Sequence, residues 1–188
     1  LPANMAVCLH PDLPYVAVEV DGEVLIVADG LLARVAIALG WEAPPVLARF
    51  SGCDVEGGTV ERPYRAPSGP ASGDGVLILG DHVTLEAGTG CVHTAPGHGA
   101  EDFLIGKKYG LEIFNPVGDD GSFVPRLVGQ DWLAGRHVLD ANAEIVEDLR
   151  KRNLLLLDEP FTHSYPHCWR CKNPVLFRST PQWFISME

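Results

Sequence analysis

Apolar residues alternate with polar ones in short runs along this chain, then switch to helical spacing, and Gly, Asp and Asn mark the switch points. The runs YVAVEV and EVLIVA flank Asp21-Gly22, and an Asp-Gly dipeptide between β-rich runs predicts a hairpin over 15–28. The next stretch, GLLARVAIAL, is apolar at helical spacing. Asp29 is placed to cap its start and Gly40 to give a left-handed exit, so a helix is expected to cover one face of the sheet. Residues 45–50 and the VLIL run at 76–79 read as short strands. The stretch 51–75 between them is rich in Gly, Pro and Ser and reads as a long excursion or mobile loop.

CVHT at 91–94 reads as a buried strand that passes through APGHG into a helix starting near Ala100 and stopping at Gly110. A strand, a glycine-rich turn and a helix start in quick succession favour a binding site, because the first N–H groups of a helix have no partner within it. NPVGDDGSF forms a loop with a second Asp-Gly, and Asp140 is placed to cap the amphipathic ANAEIVEDLRKRN. Strands outnumber helices and do not alternate with them regularly. The expected fold class is therefore α+β, a barrel-like sheet with helices packed outside, rather than a doubly wound fold.

A chain of 188 residues, 46% hydrophobic, has the length for one full core and an appendage, so the expected division is a domain at 1–160 and a tail at 161–188. The leucine start and the QWFISME end read as cuts through a longer protein. No apolar run approaches the roughly 20 residues of a spanning helix, and nothing reads as a signal peptide. The five cysteines, at positions 8, 53, 91, 168 and 171, are an odd number and suit a reducing compartment, so a cytoplasmic location is expected. Net charge is −11, which leaves no electrostatic footprint for sequence-independent RNA binding; an RNA substrate would have to be delivered by something else. The cations that do cluster, Arg150, Lys151 and Arg152, sit where a helix C-terminus favours positive charge.

Candidate chemistry gathers in GTGCVHTAPGHGAED, residues 88–102. Asp102 falls in the first turn of the predicted helix, where N–H groups and the macrodipole favour an ionised carboxylate. His93 ends the predicted strand, and His98 sits between two glycines. These three offer ligands for a metal, but their H-x4-H-x3-D spacing matches no common zinc motif. Gly88 and Gly90 permit a tight turn around Thr89, whose hydroxyl is a further candidate for substrate contact.

Four segments in order, LPAN at 1–4, LGDHVTLEAGTGCVHTAPGHGAEDFLIGKKYGL at 79–111, NPVGDDG at 115–121 and HSYPHCWRCKNPVLFRSTPQWF at 163–184, resemble the inserted editing (CP1) domain of isoleucyl-tRNA synthetase, a class I aminoacyl-tRNA synthetase. Valyl and leucyl relatives share the GTG turn and the aspartate, but typically carry lysine or methionine where this chain has His93. The resemblance implies a β-barrel-like hydrolase that removes valine wrongly attached to the tRNA for isoleucine. It assigns Asp102 to the ammonium group of the aminoacyl ester and His93 to the pocket wall. It also places Asn4 at the close of a substrate-binding segment whose threonines would precede Leu1. The attacking water would be held largely by the ribose hydroxyl and backbone groups, with no metal or other cofactor in the editing step. The implied partners are the valine-charged tRNA 3′ end and the rest of the synthetase, with no membrane. The alternatives are a valyl-type domain that removes threonine and a non-catalytic zinc or RNA-contact module.

HCWRC at 167–171 is the one metal-like motif. Tetrahedral structural zinc needs four ligands, and Cys168 with Cys171 supplies two. His163 and His167 lie too close in sequence for a compact wrap around Pro166. The resemblance implies that the pair meets a second C-x2-C in the parent enzyme, making a zinc half-site here. It also leads to the expectation that the tail beyond about Phe161 is poorly tied down.

Overall fold

The computed structural model describes residues 1–160, 162 and 164–187. Asp21 and Gly22 both adopt positive φ, 51° and 81°, the geometry a tight hairpin turn requires, and they join strands β2 (Pro14–Val20) and β3 (Glu23–Ala28). Strand β4 (Val46–Ser51) pairs antiparallel with the other edge of β2, giving a three-stranded sheet in the order β3-β2-β4. A second, mixed sheet is built on β1 (Ala6–Leu9), which runs parallel to β6 (Gly75–Leu79) and antiparallel to β7 (Val92–Thr94). The short β5 (Thr59–Val60) completes its order, β5-β6-β1-β7.

The α+β class therefore holds, while the barrel description is loose: the strands form two sheets that do not close on each other. The sheets are held face to face by a shared core. Leu9 and Leu79 of the mixed sheet meet Tyr15, Val16, Val18, Val27 and Ala28 of the other, and Leu31 and Val35 close the edge. Val35 lies on helix α1 (Leu32–Leu39), which leaves through Gly40 at φ 69° as expected. Asp29, however, makes no capping bond: a 3₁₀ turn at Asp29–Leu31 precedes the helix, and the carboxylate pairs instead with Arg49 at 2.7 Å. A short-range sequence rule is overridden here by a cross-strand cation.

Helix α2 (Ala100–Lys108) covers the other face of the mixed sheet, packing Ile105 against Ala6, Cys8, Ile78 and Val83. Helix α3 (Ala141–Lys151) belongs to a separate core with Tyr64, Phe123 and Leu133. Asp140 occupies its cap position without a side-chain bond. The stretch 51–75 is an excursion, as its composition suggests, but it is packed rather than loose. Tyr64 is buried and bonds Asp148 at 2.8 Å, and Arg62 is 3% exposed. Two inserted side chains outweigh a run of turn-forming residues. Strand β7 also departs from expectation: it is an edge strand, so Val92 and His93 are exposed and Thr94 alone points into the core. Among the described residues no helix is long and apolar enough to cross a membrane.

The turn before β7 gives the first prediction. Gly88 and Gly90 both hold positive φ, 70° and 77°; a Cβ on Gly88 would meet nothing, whereas one on Gly90 would lie 2.6 Å from the Cβ of Ala28. Gly88→Ala should therefore cost only the left-handed backbone, about 1–2 kcal/mol. Gly90→Ala should cost more, because the clash adds to the same strain. Thermal denaturation should place Gly90→Ala below Gly88→Ala, which in turn falls below the parent; equal melting temperatures for the two variants would contradict the geometry.

Candidate functional site

The C-terminal end of β7 is fixed from two directions. Antiparallel pairing sets His93 opposite Val7, and the main chain of Thr94 is gripped by the N-terminal segment: its N–H donates to Asn4 Oδ1 at 3.1 Å, and its carbonyl accepts from Met5 N at 2.8 Å. One residue on, Ala95 N–H donates to Asp102 Oδ2 at 2.9 Å. The chain thus turns through buried Ala95, Pro96 and Gly97 and returns its helix start to the strand it has just left.

Gly99 is the extended N-cap of α2, and a Cβ there would lie 3.0 Å from the carboxyl carbon of Asp102. The glycine leaves room for the carboxylate to fold back over the helix start. Glu101 and Asp102 in the first turn and Lys107 and Lys108 in the last complement the helix dipole. Among the described residues no cation pairs with Asp102. Its carboxylate is held in place by one N–H but not neutralised.

His93 stands within electrostatic reach of that carboxylate. Its ring is open on the solvent side and crowded by protein on the other. Burial lowers its pKa, and the Asp102 charge opposes that shift. The N-terminal segment, β7 and α2 meet at the end of this strand. Asn4, His93 and Asp102, which the resemblance assigns to the site, are linked there through the main chain of 93–95.

Thr89 is not in that group. Its carbonyl accepts from Ala28 N at 2.8 Å, its hydroxyl lies 3.4 Å from Cys91 N, and its side chain faces a cavity of about 220 Å³ with Val35, Leu39, Leu156 and Leu157. His98 points away as well. Its Nδ1 donates to the carbonyl of Phe177 at 3.0 Å, since a carbonyl only accepts, and burial lowers its pKa despite that bond. Among the described residues His93, His98 and Asp102 do not converge as a metal-ligand set.

The partner of His98 corrects the picture of the tail. Ser179 N donates to Gly97 O at 2.7 Å, Asn115 Nδ2 donates to Ser179 O at 2.7 Å, and Arg178 bonds Val117 O and pairs with Asp119. Residues 177–179 are therefore tied to the motif loop, although Trp183, Phe184 and Met187 beyond them are 88–99% exposed. Main-chain pairing of this kind leaves no periodic signal in a sequence. Phe161 and His163, on which two expectations for the tail rested, lie outside the described residues.

Cys168 and Cys171 lie in a tight turn: Lys172 N donates to Cys168 O, Cys168 N donates to Asn173 O, both at 2.8 Å, and Lys172 takes φ 63°. The N–H groups of Cys171 and then Arg170, followed by the Cys171 thiol, lower the pKa of Cys168 toward the thiolate that a metal requires. His167 is turned elsewhere, its Nδ1 3.0 Å from Tyr165 O. Among the described residues no third potential ligand joins the pair. Sequence reading missed one residue at this site altogether: Arg62, in an ERPY stretch with the look of a polar loop, is buried against the carbonyl of Asn4.

No family model matches the chain. All of its 188 residues align with isoleucine–tRNA ligases, at 50% identity in Thioalkalivibrio sulfidiphilus, 49% in Desulfovibrio desulfuricans and 47% in Syntrophomonas wolfei. It spans about a fifth, 19%, of the length of these curated relatives. Among solved structures, the crystal structure of GlLeuRS-CP1 superposes with a TM-score of 0.60 at 18% identity, covering 84% of this chain and 79% of that one. The chain thus aligns over its whole length with one region of isoleucine–tRNA ligases and has the fold of GlLeuRS-CP1.

Proposed function

We propose that this chain is the unit of an isoleucyl-tRNA synthetase that hydrolyses the ester of valine wrongly attached to the tRNA for isoleucine. The observation that carries the reading is Asp102, a carboxylate fixed by Ala95 N–H, free of any cation among the described residues and within electrostatic reach of His93. An aminoacyl ester presents an ammonium group, and a fixed unpaired carboxylate is the natural charge-assisted acceptor for it. His93, on the exposed face of an edge strand, is the wall against which the amino-acid side chain stops. Asn4 fixes the strand end between them. The attacking water is held by the ribose hydroxyl of the substrate and by backbone groups, and the step needs no cofactor.

The need for such a site is physical. One methylene separates valine from isoleucine and is worth about 1–3 kcal/mol in a pocket, a limit long known for this very pair of amino acids. A second, smaller site that admits only the valyl ester multiplies the selection. With a net charge of −11, the domain relies on the remainder of the synthetase to present the tRNA 3′ end.

In the full-length synthetase, Asp102→Ala should abolish deacylation of valyl-tRNA while isoleucine activation stays normal; single-turnover deacylation measures it, and a wild-type rate would refute the anchor role. His93→Ala should widen the pocket, so that the isoleucyl ester is hydrolysed as well or the valyl ester less efficiently. Unchanged rates on both esters would remove His93 from the wall.

Cys168 and Cys171 would hold half of a structural zinc, the other two ligands coming from elsewhere in the parent chain. Zinc there would staple the return segment and supply no chemistry to the ester. The isolated chain should bind no stoichiometric zinc at neutral pH, whereas the full synthetase should carry one ion that Cys168→Ser releases. Metal analysis by mass spectrometry tests this, and one tight zinc in the isolated chain would mean that local ligands complete the set.

A further inference from the structure

We infer that Arg62 is a positioning residue for the editing step, acting through the carbonyl of Asn4; the inference rests on the editing reading above. Arg62 follows β5 and is 3% exposed, and among the described residues no carboxylate is a hydrogen-bond partner of it. Its guanidinium is instead satisfied by main-chain carbonyls from two separate segments. Nη1 donates to Asn4 O at 2.7 Å and touches Met5 Sδ at 3.3 Å; Nη2 donates to Ala71 O at 2.7 Å, and Nε to Gly73 O at 3.0 Å, an oxygen that Nη2 also reaches. Burial, and then the neighbouring Arg65, depresses its pKa.

A buried cation costs several kcal/mol unless its donors are met, so a purely structural purpose would be served as well by an apolar side chain. What the guanidinium adds is direction. Its rigid planar fork sets where the Asn4 carbonyl sits relative to the 71–73 loop, which a lysine with three rotatable donors on one nitrogen does not reproduce. From Asn4 the constraint runs through two hydrogen bonds and the peptide chain between them. Asn4 Oδ1 holds Thr94 N, His93 and Ala95 flank Thr94, and Ala95 N holds the Asp102 carboxylate. Displacement of Asn4 would therefore shift the wall and the anchor together. Arg62 touches no substrate in this arrangement, and its effect is entirely on geometry.

The test uses the full-length synthetase with Arg62→Ala, Arg62→Lys and Asp102→Ala, and measures valyl-tRNA deacylation, isoleucylation and thermal stability in each. Arg62→Ala should lower the deacylation kcat by about tenfold to a hundredfold, the loss expected for a misplacement of about 1 Å, with isoleucylation unchanged. Arg62→Lys should be only partly restored. Millimolar methylguanidinium should recover deacylation in Arg62→Ala and leave Asp102→Ala inactive, a response that a general loss of packing does not give. A deacylation kcat within twofold of wild type in Arg62→Ala overturns the inference, as does a loss matched in isoleucylation and unaffected by methylguanidinium. If Asp102→Ala itself deacylates normally, it is the editing reading that falls.

Discussion

Strand β1 is hydrogen-bonded along both edges, to β6 in parallel and to β7 antiparallel, and everything at the site is measured from it. Its residues are four, Ala6–Leu9, and three of them are buried. One edge fixes β6 and, through it, the excursion that brings Arg62 inward. The other edge fixes β7 and therefore the start of the loop that ends at Asp102. The register is not free to slip. A one-residue shift would turn Ala6, Cys8 and Thr94 out of the core and put Val7 and His93 into it.

Against that frame, the electrostatics are simple. Among the described residues no cation neutralises the Asp102 carboxylate, and burial lowers the pKa of His93 beside it, in a chain with an excess of acid elsewhere. An anionic molecule would meet repulsion over most of this surface. A cationic group meets a fixed acceptor at the mouth of α2. On the proposed reading, this asymmetry would suit the ammonium group of an aminoacyl ester better than phosphates.

Much of the fold was legible in the sequence because local rules governed it. The Asp21-Gly22 hairpin, the left-handed Gly40 exit and the strand–turn–helix order around 91–110 followed from turn chemistry and periodicity. The gathering of Asn4, His93 and Asp102 was legible only through the resemblance, since Asn4 and Thr94 are 90 residues apart. What escaped was decided by tertiary contacts that leave no local trace. Asp29 was drawn off its helix by Arg49, Arg62 and Tyr64 ordered a stretch whose composition reads as loop, and the tail found its partner in a backbone carbonyl at Gly97. Thr89 looked like a site residue because it sits between motif glycines, yet those glycines serve the packing of Gly90 on Ala28.

The bonds from Ser179 and Phe177 to the loop at Gly97 and His98 also have a bearing on time. A ribosome releases this chain from its N-terminal end, and the loop emerges some 80 residues before the segment that clamps it: His98 and Phe177 are 79 apart in sequence. Such distant contacts are the slow ones to form. The three-stranded sheet is complete by Ser51, whereas the motif loop receives its last two hydrogen bonds only when the return segment has been made. The loop that carries the candidate site would then mature late in synthesis, after most of the chain has been made.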